Sequence, residues 1–468
     1  MAQSRRDQVQ AQSYVWSRLV NALVVADPDT HESPHRRIVT GTVVGLLIAI
    51  LIIVGVTVYG FVRPGGASGW RKPGVLVVEK ETGSRFVYLD GRLRPVLNYA
   101  SALLLLGTRP TVVSASRKSL SEVAHGQPVG IVGAPDALPS PGLVTGEVWS
   151  ACAVQDTGPT GAVTPVTTLS IMSSGRPAGP ALGPSRALLV TAGGDQYLVT
   201  DERRFRLGAA WLPRVLGADG PAAEVQQTWL ATIAAGPDLL PPVVPGRGGA
   251  GPRVDGHPSR VGQLFVATSE TGEQRRFLLQ RDGLMPLGPL AYAIEIADPA
   301  AAAMDGGRPA QPVPLSPAAL AALPVSRMTA LPTGLPAAPP QLVTAPPDGA
   351  AWCVRQRMSD GRTEVAADAP APAGDLVTQD LAIRLDSRTA AAVTVEPGQG
   401  GLVVAGRIDQ ALGSTRYLVT DAGVKYPVPG SGDASRLGFS VLEARPVPSP
   451  LLDLLPTGPA LAVASGSG

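Results

Sequence analysis

Residues 38 to 62, IVTGTVVGLLIAILIIVGVTVYGFV, run for 25 positions without a charge, and no other stretch limits the fold as strictly. At about 1.5 Å per residue, a helix of this length crosses a hydrocarbon core of about 30 Å with some tilt. Backbone inside lipid must satisfy its own hydrogen bonds, so Ile38 to Val62 is read as one transmembrane helix. The competing reading, a buried core helix, fits so long an uncharged run badly. A cleaved leader also fits badly, because the run begins only at residue 38 and is too long. Tyr59 and Phe61 sit near one end, where aromatic rings favour the membrane interface.

Charge does not orient the span: Arg18, Arg36 and Arg37 precede it, and Arg63, Arg71, Lys72 and Lys80 follow it. A long polar domain translocates largely regardless of charge, and a cysteine pair suits an oxidising compartment. Both arguments place the N-terminus in the cytoplasm and the large C-terminal part outside.

Ahead of the span, residues 5 to 26 carry Val9, Trp16, Leu19, Val20, Leu23 and Val24 near one face at helical spacing, with Arg5, Arg6 and Arg18 available to the other. Pro28 is the expected helix stop. A helix lying on the membrane is one reading. Docking to a cytoplasmic partner through Val9, Trp16, Leu19, Val20 and Leu23 is preferred, because nothing else in the segment covers that face.

Beyond the span one pattern comes back four times. An apolar strand leads: VLVV (75–78), ALLV (187–190), QLFV (263–266) and GLVV (401–404). An aromatic-led strand follows at Phe86, Tyr197, Phe277 or Tyr417, then a turn and a short return containing Pro95, Leu207, Pro286 or Pro427. Asp90-Gly91 and Asp282-Gly283 suit the positive φ of a tight hairpin. Chance likeness between short strands is the bland reading, and the ordered co-occurrence of all three pieces argues against it. Each copy is too small to stand alone, so copies must bury against neighbours. With 54 Gly and 47 Pro, short strands and turns are favoured over long helices, while 44% hydrophobic residues suffice for a packed core.

The expected class is therefore α+β and strand-rich. Its segments are a cytoplasmic helix (1–37), the transmembrane helix (38–62), a linker (63–74), repeat 1 (75–135), a first central segment (136–185), repeat 2 (186–245), a linker (246–258), repeat 3 (259–340), a second central segment (341–399), repeat 4 (400–445) and a Pro-rich tail (446–468). LPTG occurs at 331–334 and again at 455–458, which suggests ordered extended arms, and the final ASGSG is expected to be disordered.

Cys152 and Cys353 each follow a tryptophan closely and lie between repeats one and two and between three and four. Two similar halves related by a pseudo-twofold, with the cysteines meeting near its axis, account for this placement. A disulfide closing so long a loop contributes roughly 5 kcal/mol by the chain-entropy model. Two unrelated buried thiols remain the alternative.

Catalytic signatures are missing. None of the four lysines (Lys72, Lys80, Lys118, Lys425) follows a glycine, which excludes a G-x-x-x-x-G-K-[ST] phosphate loop. No H-E-x-x-H or G-x-S-x-G occurs, and Pro34 spoils the i, i+4 spacing of His31 and His35. Asp201-Glu202 reads as a solvated turn pair. A net charge of +2 gives no case for nucleic acid. No catalytic residue, metal site or cofactor is expected.

In order along the chain, VQAQSYVWSRLVNALVV (9–25), the single span, VLVVEKETGSRFVYLDGRLRPVLNYASALLLLG (75–107), IVGAPDALPSPG (131–142), the Trp-Cys segments and SPLLDLLPTGP (449–459) resemble the EccB family of actinobacterial type VII (ESX) secretion systems. The likeness covers nearly the whole chain. It implies a short cytoplasmic helix, one membrane helix and a large extracytoplasmic domain in which four repeats surround a central β-rich domain with quasi-twofold symmetry and a disulfide. It also implies assembly, as a homo-oligomer within a larger complex, with the FtsK/SpoIIIE-type motor ATPase EccC, with EccD and EccE, and with the mycosin protease. The stretch VADPDTHESPHRR (25–37) is less basic than that family would suggest. An ATPase activity proposed for the family finds no nucleotide motif here and is not carried over. The function so implied is a structural subunit of a secretion channel; a membrane-anchored envelope hydrolase and a cell-wall binding module are the alternatives.

Overall fold

The computed structural model describes residues 5–25, 34–62, 68–107, 109–140, 147–157, 160–173, 179–346, 350–368, 382–406 and 415–463. The expected stop at Pro28, linker residues 63–67 and the final ASGSG lie outside them. The fold is mixed α+β and strand-rich, with one long apolar helix near the N-terminus. It divides into two compact units, Met1–Arg94 with Val112–Gly126, and Pro95–Thr111 with Gln127–Gly468. The division falls inside the 75–135 segment.

The first unit holds helices Arg5–Val25 and Pro34–Val62 and a four-stranded sheet in the order Arg92–Pro95, Arg85–Leu89, Val75–Glu79, Thr111–Ala115. Threonines are tolerated in the apolar helix because their hydroxyls bond back along it: Thr42 Oγ1 donates to the Ile38 carbonyl (2.8 Å) and Thr57 Oγ1 to that of Ile53 (2.5 Å). Trp70 anchors the core of the sheet with Val75, Val77, Phe86 and Leu93, and its indole N–H donates to Ser119 Oγ (3.2 Å). Asp90 and Gly91 have φ of 51° and 73°, the positive pair a tight hairpin turn requires.

The second unit contains three further small sheets. One runs Ala223–Glu224, Arg186–Ala192, Asp195–Val199, Arg203–Arg206, Ala234–Ala235, with Gln341–Val343 also pairing Arg186–Ala192. The next runs Gly283–Leu287, Gln274–Gln280, Leu264–Thr268, Val313–Pro314, and the last Lys425–Val428, Arg416–Val419, Gly401–Ala405, Arg445–Val447. In all four sheets the aromatic faces the leading strand: Val77 opposite Phe86, Val190 opposite Tyr197, Phe265 opposite Phe277, Val403 opposite Tyr417.

A fifth, central sheet is ordered Thr363–Asp368, Ala351–Arg357, Val148–Thr157, Val163–Met172, Ala392–Val395. Two hairpins meet in its middle, antiparallel. The segment after each hairpin crosses to the outer edge of the other: Leu182 N–H donates to the Val365 carbonyl (2.7 Å), and Ala392–Val395 pairs Val163–Met172. Its buried Trp149, Ala151, Leu169, Ile171, Val354 and Val365 share one core with the second and fourth small sheets, through Trp229 and Leu230 and through Leu451 and Leu452.

Short helices make the remaining joints. Asn98 caps Tyr99–Leu106, its side chain accepting from Ser101 N–H (3.0 Å), and Arg436 Nη1 donates to the Leu104 carbonyl (2.9 Å) from helix Ser431–Arg436. Likewise Leu212 and Leu216 pack on Leu290 and Ile294 of helix Pro289–Ala297. The stretch 246–258, expected as a linker, is folded: Val254 is buried beside Phe265 and Phe277, and Gly251 N–H donates to the Ser259 carbonyl (2.8 Å).

Candidate interaction surfaces and the central disulfide

The window Ile38–Tyr59 has a mean hydropathy of 2.8 and none of it is buried. Aliphatic side chains gain about 1.5–3 kcal/mol each on leaving water, so an apolar medium suits this helix. On helix Arg5–Val25, Val9, Trp16, Leu19 and Leu23 are exposed and Val20 is half-buried. Tyr14 and Val15 are exposed as well, so the apolar surface is broader than the single stripe read from spacing. The Arg18 guanidinium lies 5.8 Å from the Tyr14 ring centre.

Cys152 and Cys353 are joined by a disulfide and face each other directly across the two central strands. Both are buried, with Ala351 and Val154 around them, and Ser150 Oγ is 3.8 Å from Cys152 Sγ. No free cysteine remains. A bond held in register by two strands and shielded from solvent suits a structural brace more than thiol exchange.

Buried charges are partnered. Arg247 Nη1 lies 2.5 Å from Glu295 Oε1 and its Nη2 3.3 Å from Asp298 Oδ2. Burial pushes the Glu295 carboxyl above its ordinary value, against the Arg247 hydrogen bond and charge, which pull it down. Arg355 Nη2 lies 3.2 Å from Glu364 Oε1 and donates to the Gly179 carbonyl (2.9 Å), while its Nε is 3.3 Å from Asp368 Oδ2 without hydrogen-bond alignment. Lys425 is buried, its Nζ donating to the Leu452 carbonyl (2.5 Å) at the end of helix Ser449–Asp453, and burial lowers its pKa. Asp201 is not the solvated turn acid its sequence suggests. It is half-buried, accepts from Val365 N–H (3.2 Å), and burial raises its pKa.

Among the described residues no group of three or more His, Cys, Asp or Glu could hold a metal. His125 packs edge-on against Phe86, 5.9 Å between ring centres, and the side chains of His31 and His35 lie outside the described residues. The buried ion pairs tie the Arg247 loop to helix Pro289–Ala297 and its C-cap, and strand Ala351–Arg357 to its neighbour Thr363–Asp368; they do not converge on a shared cleft. Sequence reasoning missed Arg247, because Gly and Pro around it read as linker, and it missed a groove of about 430 Å³ lined by Pro286, Gly288, Leu290, Ala291 and residues 325–332 and 335–337. The Ala/Pro richness of 312–349 was the one signal for the latter.

Comparison with known proteins gives a consistent result. The family model "Type VII secretion system ESX-1, transport TM domain B" matches residues 1–467. The chain is similar to the ESX-3 secretion system ATPase EccB3 of Mycolicibacterium smegmatis, 28% identical over 97% of this chain and 89% of the relative. It is also similar to the ESX-5 secretion system ATPase EccB5 of Mycobacterium marinum, 27% identical over 98% and 92%. Among solved structures, a chain of an intact ESX-5 inner membrane complex aligns with a TM-score of 0.65 at 25% identity, covering 99% of this chain and 94% of that one. A chain of the EccB3 dimer from the ESX-3 core complex aligns with a TM-score of 0.63 at 25% identity, covering 83% and 98%.

Proposed function

The chain belongs to the EccB family of the type VII secretion system, and from that premise we propose that it is a structural subunit of a type VII secretion inner-membrane complex. The observation that carries the reading is the match over residues 1–467, which takes in the N-terminal helix, the exposed span Ile38–Tyr59 and the strand-rich remainder together. In this reading Ile38 to Val62 anchors the chain with its N-terminus in the cytoplasm. The four small sheets are copies of one module, set about the central sheet with a pseudo-twofold through Cys152 and Cys353. The common placement of Phe86, Tyr197, Phe277 and Tyr417 supports the module, and the exchanged edges of the central hairpins support the axis.

The extracytoplasmic part oligomerises near the exit path, as the dimer of the related EccB3 suggests. Helix Arg5–Val25 offers Val9, Trp16, Leu19, Val20 and Leu23 to cytoplasmic partners, and the assembly includes the motor ATPase EccC, EccD, EccE and the mycosin. Nucleotide hydrolysis is not part of the proposal. Several relatives carry ATPase in their names, but no lysine here follows a glycine.

Extraction of the tagged chain in mild detergent tests this. A large assembly containing a motor ATPase is expected, and a monodisperse monomer without co-purifying ATPase overturns the reading.

A further inference from the structure

In three of the four small sheets an extended arm continues along the open edge of the return strand. Val129 N–H donates to the Pro95 carbonyl (2.8 Å), and the Val129 carbonyl accepts from Leu97 N–H (3.1 Å). Leu239 makes the same two bonds, donating to the Arg206 carbonyl (2.8 Å) and accepting from Gly208 N–H (3.0 Å). Leu461 donates to the Pro427 carbonyl (2.8 Å), and Pro429, two residues on, has no N–H to offer. Arg206 and Pro427 lie opposite Tyr197 and Tyr417; the residue so placed in the third sheet is Pro286, opposite Phe277.

The third arm starts like the others and then leaves. Leu284 N–H donates to the Pro324 carbonyl (2.8 Å) and Ser326 N–H to the Leu284 carbonyl (2.9 Å). Asp282 then takes hold of it, accepting from the Ser326 hydroxyl (2.7 Å) and from Arg327 N–H (3.0 Å), and Met328 N–H turns back to Ser326 Oγ (3.1 Å). Among the described residues no hydrogen bond reaches the Pro286 carbonyl or the Gly288 N–H. Both residues are exposed and border the groove of about 430 Å³, within the size range of ligand clefts. Leu290, Ala291 and Leu331 give it apolar walls, and Arg327 is the only charged side chain lining it.

We propose that this groove takes an extended segment of another polypeptide, an acidic residue followed by branched aliphatics and proline, added parallel to Gly283–Leu287. Strand addition of this kind draws affinity from backbone bonds and specificity from side-chain pockets. The chain itself shows which sequence satisfies such an edge: Gly-Pro-Asp-Leu-Leu-Pro (236–241) covers the second sheet, burying Leu239, with Asp238 Oδ2 2.5 Å from Arg206 Nη2. In the third sheet Arg327 supplies the cation of the lining; the Asp282 carboxylate, which also feels its charge, lies outside the lining and is taken up by the Ser326 hydroxyl and the Arg327 N–H, so an acid in the incoming segment is complementary.

The test uses the full chain in detergent and a labelled peptide of sequence GPDLLPPV, read by fluorescence anisotropy. Saturable binding is expected, weakened at least about tenfold in Gly288→Pro, which removes one backbone donor. That variant keeps the backbone, because Gly288 already has φ of −71° and a Cβ there meets only the Ala337 carbonyl oxygen at 3.7 Å. Arg327→Glu should weaken GPDLLPPV several-fold and leave GPNLLPPV unchanged. Absence of saturable binding, or binding indifferent to both substitutions, overturns the proposal. In the intact assembly a photo-crosslinker at the exposed Val325 should join a different chain through a segment of this chemistry; adducts only to a second copy of this chain, or to its own 327–337 loop, overturn it too.

Discussion

Cys152 and Cys353, 201 residues apart in the chain, stand directly opposite one another on adjacent antiparallel strands. Each side of that pair belongs to a hairpin, so the bond joins the two hairpins of the central sheet where their strands meet. A cross-link over so long a loop removes much freedom from the unfolded chain. Replacing both residues by serine should cost about 3–5 kcal/mol, read as a lower melting temperature of the detergent-solubilised full chain. An unchanged melt would show that strand pairing alone holds the halves.

Trp229 makes a second joint to the same strands, its Nε1 donating to the Ala151 carbonyl (3.1 Å) from a fully buried ring. Trp229→Phe keeps most of the packing but removes the side-chain bond to that carbonyl and part of the buried ring. A loss of about 2 kcal/mol is expected, visible in denaturant melts, with the disulfide still formed in non-reducing mass mapping.

Arg247 supports a carboxyl that burial has already pushed upward. Arg247→Met removes the groups that hold Glu295 down, so the Glu295 pKa should climb further. A carboxyl whose folded pKa exceeds its unfolded one favours the native state when protonated and loses that contribution as pH rises through the folded pKa. The variant should therefore be destabilised by about 3 kcal/mol near neutral pH and recover toward the parent as pH falls to the unfolded glutamate value. Melting temperatures measured across this range decide it; a difference from the parent that does not vary with pH would contradict the account.

On the N-terminal helix, Trp16→Ala combined with Leu19→Asp removes two exposed apolar groups without touching a packed one. The chain should stay in the membrane fraction while recovery of the large assembly drops several-fold on native gels. In contrast, Leu51→Arg places a charge in the middle of the span at about 2.5–3.5 kcal/mol, and its expected effect is a fall in carbonate-resistant, membrane-inserted protein.

Much of this structure is legible in local sequence. The uncharged run at 38–62 reads directly as a helix for lipid, and the pairing of apolar leading strands with Phe86, Tyr197, Phe277 and Tyr417 follows from alternation and turn residues. Asp90-Gly91 takes the positive φ pair its composition suggests. At Asp282-Gly283 only Gly283 has positive φ, 139°, because the Asp282 carboxylate is engaged with Ser326 and Arg327, far along the chain. That engagement could not be read from a turn dipeptide. Nor could the folded state of 246–258, where Gly and Pro suggest a linker and the Arg247 ion pairs with Glu295 and Asp298 decide otherwise.

The sequence by itself determined the long apolar helix, the strand-and-turn units and the absence of a phosphate loop, since each is written in neighbouring residues through apolar length, period-two alternation, Gly and Asp turns, and motif spacing. Only the tertiary structure decided which pieces meet: helix Tyr99–Leu106 on Ser431–Arg436, Leu212 on Leu290, Cys152 on Cys353, and an arm on every small sheet's edge except that at Pro286. These contacts join residues far apart in the chain. They are selected by complementary shape, hydrogen bonding and charge on surfaces that exist only once the local units have formed, and no local pattern carries that information.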